Sequence, residues 1–270
     1  MTNSGGDSRP VVCCDLDGVV WRGEQPIAGA AEGVDRLRAA GLRVAFLTNN
    51  SSGRVADNLA RLAAAGVTAE AEDLVTSAQA AVGLLARDAP PGARVLACAG
   101  EGVREALRAG AFEPVAAPPA VAVMVGWHRE FDFERLRIAA DTVRAGARFI
   151  ATNLDPTYPG AEGLLPGAGS LVAAVATASG RKPEVAGKPE PAMAAFVRAR
   201  YADPVVMIGD RPSTDGAFAD ALGVPFAMVL SGIAGTDGEE QVPDPPPPFI
   251  AEDLGALAPA LVAAFGVAAP

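Results

Sequence analysis

Asp15-Leu16-Asp17-Gly18 sets two carboxylates one residue apart and closes on a glycine. The pair directly follows Val11-Val12-Cys13-Cys14, an apolar run that reads as a strand buried on both faces, as in a parallel sheet. If the strand continued through them, Asp15 and Asp17 would project to the same side. Carboxylates crowded in this way repel, so one takes a proton or a cation shares the site. Gly18 permits a sharp turn or the close approach of a ligand. Three further polar clusters carry groups of complementary chemistry: Thr48-Asn49, Lys188, and Asp210 with Asp215. Taken singly, each has a plain structural explanation: Asp210 and Asp215 would cap a helix starting near Thr214, and Lys188 would be an exposed loop lysine. Their joint occurrence at strand exits turns them into a candidate site.

The elements that would position these groups alternate. A helix is expected over about 29–40, a strand at Val44–Leu47, and helices over about 54–65 and 77–87. Pro90-Pro91-Gly92 reads as a boundary. A second alternating series follows: strand 94–97, helix 103–109, strand 121–125, helix 133–145 and strand 148–151. Residues 153–169, with repeated Pro and Gly, read as a long irregular loop, a kind that is often functional. A helix near 170–179 leads to Lys188, and the first pattern then resumes with a helix to Tyr201, strand Val205–Ile208, a helix to Leu222 and a strand over 225–230. Pro243–Pro248 reads as a stiff connector. The Ala-rich C-terminal stretch, interrupted by Pro259 and Gly266, reads as a docking helix. This is an α/β pattern: a doubly wound, Rossmann-like parallel sheet with a smaller α/β domain inserted. The expected division is 1–88, first part of the core; 89–182, the inserted domain; and 183–270, the rest of the core. Ligands of such sheets bind beyond the carboxyl ends of the strands.

Composition narrows the partners. The chain has 270 residues, half of them hydrophobic, and a formal net charge of −10. Nucleic acid or an anionic membrane would call for clustered Lys and Arg, so neither is expected as a partner. Three cysteines, Cys13, Cys14 and Cys98, form neither a disulfide framework nor a C-x-x-C metal pattern, which favours a reducing, cytoplasmic setting. The first ten residues lack a signal-peptide core, and no apolar stretch is long enough to span a bilayer.

The ordered set Asp15/Asp17, Thr48/Asn49, Lys188 and Asp210/Asp215 resembles the haloacid dehalogenase superfamily. Within it, the set is similar to the phosphatase branch of p-nitrophenyl, phosphoglycolate and glycerol-phosphate phosphatases, in which an α/β cap is inserted between the second and third motifs. The similarity runs from Val11 to about Leu254. It implies that Asp15 attacks phosphorus to form an aspartyl phosphate and that Asp17 works as general acid and base. Thr48 and Asn49 can donate to phosphoryl oxygens, and Lys188 adds positive charge against the phosphoryl group and the nucleophile. So many carboxylates around a phosphate need a divalent cation, and oxygen donors without His or Cys point to Mg²⁺. By the resemblance its ligands are Asp15, the Asp17 backbone carbonyl and Asp210, with Asp215 in support. The cap loop would place Asn153, Asp155 and Tyr158 to choose the leaving group. The expected partner is a small phosphorylated metabolite, and any homodimer is expected to form through the cap. A phosphotransferase or mutase on the same site, or a low-turnover module that binds a phosphorylated ligand, are the alternative functions.

A metal-free rival is written into Cys98-Ala99-Gly100-Glu101-Gly102-Val103-Arg104, which fits the C-x5-R loop of cysteine-dependent phosphatases. Glu101 would place a carboxylate in that cradle, which argues against it. His128 is the sole histidine, so no multi-histidine zinc site can form, and it reads as a surface or structural residue. Trp21, beside the nucleophile, would shield the site from water or simply pack.

Overall fold

Val11–Asp15 is a strand buried at all five positions, and a strand without a solvent face must have neighbours on both edges and cover on both sides. In the computed structural model, which describes residues 8–160, 163–232 and 241–267, it lies inside a six-stranded sheet. From edge to edge the order is Phe249–Ala251, Phe226–Val229, Pro204–Gly209, Val11–Asp15, Arg43–Thr48 and Leu74–Thr76. The pairings of Val11–Asp15 with both of its neighbours are parallel, as are the next two outward on the C-terminal side. The chain thus winds outward from Val11–Asp15 in one direction, then returns beside it through Pro204–Gly209 and winds outward in the other. That reversal is a topological switch point, where a crevice opens beyond the carboxyl ends of the two strands. Cys14 is the register partner of both Phe46 and Ile208, so the strands end level at Asp15 and Gly209, and Asp210 is the next residue out.

The chain divides into two compact units, one of Met1–Leu47, Leu59–Val75 and Ala194–Pro270, the other of Thr48–Asn58 and Thr76–Met193. In the first unit, the helices Ala30–Ala39 and Leu254–Phe265 pack together. A Cβ on Gly33 would lie 2.7 Å from the Leu254 side chain and 2.8 Å from its carbonyl, so a glycine is what lets these helices approach. The C-terminal helix runs through Pro259 and ends before Gly266. The second unit holds a five-stranded sheet in the order Glu184–Val185, Arg148–Ala151, Ala122–Val125, Arg94–Cys98, Glu113–Val115, every pairing parallel. Its core packs Val123, Val125, Phe149 and Leu96 against Val143, Val172 and Val175. Among the described residues no helix is long and apolar enough to cross a membrane.

The stretch 153–169, expected to be irregular, contains an antiparallel hairpin of Thr157–Gly160 with Gly163–Pro166. Each strand of an isolated hairpin has a free edge, so prolines lacking an N–H are tolerated there. Six further short strands among the described residues have no counterpart in the sequence pattern: Trp21–Arg22, Gln25–Pro26, Leu74–Thr76, Glu113–Val115, Glu184–Val185 and Phe249–Ala251. All six lie at sheet edges and are two or three residues long.

Candidate active site

Three carboxylates gather at the switch point. Asp15 is the last residue of its strand, Asp210 follows Gly209 at the end of the neighbouring strand, and Asp215 comes from the wide, π-helical turn Pro212–Gly216. Each offers an oxygen, and these oxygens lie within 4.8 Å of one another. All three residues are buried, Asp210 and Asp215 to 1% exposure. Two carboxylates at that separation repel by about 3.5 kcal/mol at an effective dielectric of about 20. The protein nonetheless builds the cluster tightly. A Cβ on Gly18 or Gly232 would collide with the Asp210 carboxylate, and one on Gly209 with that of Asp215. Gly18 has φ +89, a conformation that L side chains avoid. Asp215 also accepts the Arg211 backbone N–H at 3.2 Å. A buried set of hard oxygens walled by glycine backbone fits a hard divalent cation such as Mg²⁺ or Ca²⁺.

Asp17 is placed differently from the expectation. The strand ends at Asp15, so alternation along a strand does not carry to Asp17. A turn sets its position instead. Asp17 and Trp21 form an isolated bridge, and the Gly18 N–H donates to the Trp21 carbonyl at 2.7 Å. The Trp21 indole N–H donates to Asp17 Oδ1 at 2.9 Å. Sequence reasoning missed Arg22 and Ser231. Arg22 donates to the carbonyls of Ser231 and Gly232, and Ser231 Oγ donates to the Gly18 carbonyl at 2.8 Å, tying the segment beside Asp210 to the turn after Asp15. No motif marks them, because the contacts run to backbone atoms more than 200 residues away.

Thr48, Asn49 and Lys188 belong to the second unit and are buried there. Thr48 follows Leu47, the register partner of Asp15. Its Oγ1 accepts the Asn50 N–H at 3.0 Å, which leaves the hydroxyl proton to donate. The Asn49 side chain is committed to Lys188 from both ends: Oδ1 accepts the Lys188 N–H at 2.8 Å and Nδ2 donates to the Lys188 carbonyl at 3.0 Å. Nδ2 also reaches both Asp155 oxygens at 3.2 Å. The amide therefore positions the lysine, and only the backbone N–H of Asn49 is left as a candidate phosphate donor. Ser77 Oγ and Asn153 Nδ2 both donate to the Asn49 carbonyl at 2.6 Å. Asn153, expected to meet the leaving group, is 3% exposed, and its Oδ1 accepts the Asp155 N–H. Its geometry is that of a support for Asn49. Tyr158 Oη accepts from Asn50 Nδ2 at 3.2 Å, and its ring lies 5.3 Å from that of Trp127.

The second unit does not build a cysteine phosphatase loop. Burial pushes the Cys98 thiol up to about 11, opposite to what a thiolate nucleophile needs. Arg104 donates to the carbonyls of Ala99 and Ala97, so its guanidinium faces backbone of its own loop. His128 is buried. Its Nδ1 lies 2.9 Å from the Gly126 carbonyl and so carries the proton, and burial holds the ring below its ordinary pKa. Its Nε2 has no hydrogen-bond partner among the described residues.

Sheet and site together define a doubly wound α/β protein whose switch point carries a buried cluster of three carboxylates. The chain belongs to the haloacid dehalogenase-like hydrolases: the model of that family matches residues 12–113, and that of HAD-hydrolase-like proteins matches residues 185–257. It is 41% identical over 254 residues to D-glycerol 3-phosphate phosphatase of Mycobacterium tuberculosis, covering 90% of this chain and 69% of that protein. It is 39% identical over 244 residues to chronophin of Homo sapiens, covering 83% of this chain and 81% of that one. A crystal structure of glycerol phosphate phosphatase from M. tuberculosis in complex with magnesium matches with a TM-score of 0.82 at 40% identity, over 93% of this chain and 76% of that chain. The protein is thus a phosphatase of the haloacid dehalogenase type.

Proposed function

We propose that the protein hydrolyses a small phosphomonoester with Mg²⁺, through an aspartyl phosphate on Asp15. The clustering of Asp15 with Asp210 and Asp215 at the switch point carries this reading. Asp15 would attack phosphorus, so that an Asp15 oxygen–phosphorus bond forms as the bond to the leaving oxygen breaks. Asp17 gives that oxygen its proton, then takes one from the water that displaces phosphate from Asp15. Mg²⁺, held by Asp15, Asp210 and the Asp17 carbonyl with Asp215 in support, would supply charge against the phosphoryl oxygens. The Thr48 hydroxyl, the Asn49 backbone N–H and the Lys188 ammonium are the donors assigned to the phosphoryl group, the Asn49 side chain serving to fix Lys188.

We assign residues 89–182 to a cap and the choice of leaving group to Asp155 and Tyr158, which the Asn49 and Asn50 amides reach. Glycerol 3-phosphate is the first substrate to try, since a 41%-identical relative bears that name. Phosphate release from glycerol 3-phosphate and p-nitrophenyl phosphate with Mg²⁺ tests the reading. Asp15→Asn should lose at least about 1,000-fold in kcat. Turnover at the wild-type rate would remove Asp15 as nucleophile.

A further inference from the structure

The turn after Asp15 carries one large side chain to which the reaction as drawn gives no task. Trp21 is 2% exposed, and an indole N–H buried this deeply has a single proton that needs a single acceptor. Its acceptor is Asp17 Oδ1, at 2.9 Å. Such a bond to a carboxylate is charge-assisted, and an indole wedged into a packed site cannot swing away as a hydroxyl or lysine could. The ring is itself gripped. The Arg61 guanidinium carbon stands 4.0 Å from the ring centroid, in cation–π contact. Arg61 also donates to the Gly23 carbonyl, in the turn of the short hairpin formed by Trp21–Arg22 and Gln25–Pro26. Main chain reinforces side chain, because Asp17 and Trp21 are bridge partners and the Gly18 N–H meets the Trp21 carbonyl.

We propose that Trp21, clamped by Arg61, is the positioning residue for Asp17: its indole N–H fixes Oδ1 and thereby presents Oδ2 as the oxygen that gives and takes the proton. The assignment rests on Asp17 acting as acid and base. Oδ1 can accept from the indole whether or not Oδ2 carries a proton, so the contact holds through both half-reactions. A carboxylate that must alternate between acid and base benefits from a partner that need not rearrange between them.

Leaving-group dependence separates positioning from mere packing. Phenyl phosphate and p-nitrophenyl phosphate are similar in size, but phenolate is the poorer leaving group and depends more on a delivered proton. Their kcat/KM values in Mg²⁺ report the steps through transfer to Asp15. Trp21→Phe keeps a ring under Arg61 and removes only the N–H donor and the second ring. It should lower the ratio of phenyl to p-nitrophenyl kcat/KM at least about fivefold, with the p-nitrophenyl value within about threefold of wild type. An unchanged ratio, or equal loss on both substrates, overturns the proposal. Should Trp21→Phe not fold, Arg61→Met decides, since it releases the clamp and leaves the indole in place. A fall in the ratio of at least about twofold supports the clamp, and no change overturns it. Asp17→Asn is the control for the underlying reading: a ratio that does not fall there removes Asp17 as the acid. A ratio that falls in Asp17→Asn but not in the Trp21 or Arg61 variant removes only the role given to Trp21.

Discussion

Gly18 shows how one missing methyl group shapes the carboxylate site. Its φ of +89 is strained for any other L residue, and the space its Cβ would need is taken by the Asp210 carboxylate. Gly18→Ala should therefore cost about 2 kcal/mol or more by denaturant unfolding and displace Asp210, lowering the affinity for Mg²⁺ seen in activity titrations. His128 sets a second residue-scale expectation. Burial lowers its folded pKa, so the ring is neutral in the fold while the unfolded chain protonates below about 6.5. The unfolded state then binds more protons, and stability is lost as pH falls from the unfolded pKa toward the folded one, by at most about 1.4 kcal/mol per pH unit. His128→Asn should flatten the fall in melting temperature between pH 7 and pH 5. An equally steep fall in the variant would show that other groups govern it. The buried Cys98, raised to about 11, should resist iodoacetamide at pH 8 in the folded protein, and Cys98→Ser should retain phosphatase activity.

At the scale of elements, legibility followed burial and length. Val11–Asp15 and Val44–Leu47 were readable because a strand covered on both faces needs an unbroken apolar run. Leu74–Thr76 and Phe249–Ala251 were not, since three residues hold no period and an edge strand owes its existence to its neighbour. The hairpin within 153–169 was hidden by the Pro and Gly that usually break strands. The carboxylate motifs were legible as residue types at strand exits. Their supports were not: Asn49 gripping both backbone groups of Lys188, and Trp21 holding Asp17, depend on turns whose geometry leaves no spacing rule in the chain. The helix pair Ala30–Ala39 and Leu254–Phe265 gives this scale its own test. Gly33→Val would drive a branched side chain into Leu254, and overpacking of this kind should cost about 1–3 kcal/mol in unfolding free energy.

For the whole molecule, the decisive balance is between fold stability and the charge held at the switch point. Asp15, Asp210 and Asp215 concentrate part of the chain's net charge of −10 at one point, and folding without a cation must bear their mutual repulsion. A cation that binds the folded chain alone should stabilise it by mass action, by about 2.7 kcal/mol at a hundredfold excess over its dissociation constant. Melting temperature should accordingly rise with Mg²⁺ concentration and fall back on adding chelator. Asp210→Asn separates this from a general salt effect. Removing one of three crowded charges relieves repulsion in metal-free protein and takes away a ligand, so two changes should appear together. Its melting temperature in chelator should equal or exceed that of the wild type, while the rise produced by Mg²⁺ should largely vanish. Were Asp210 held instead as an ordinary buried hydrogen-bond acceptor, the variant would melt lower in chelator and keep its response to Mg²⁺. The sign of the two shifts thus reports whether the cluster exists for the cation or for the fold.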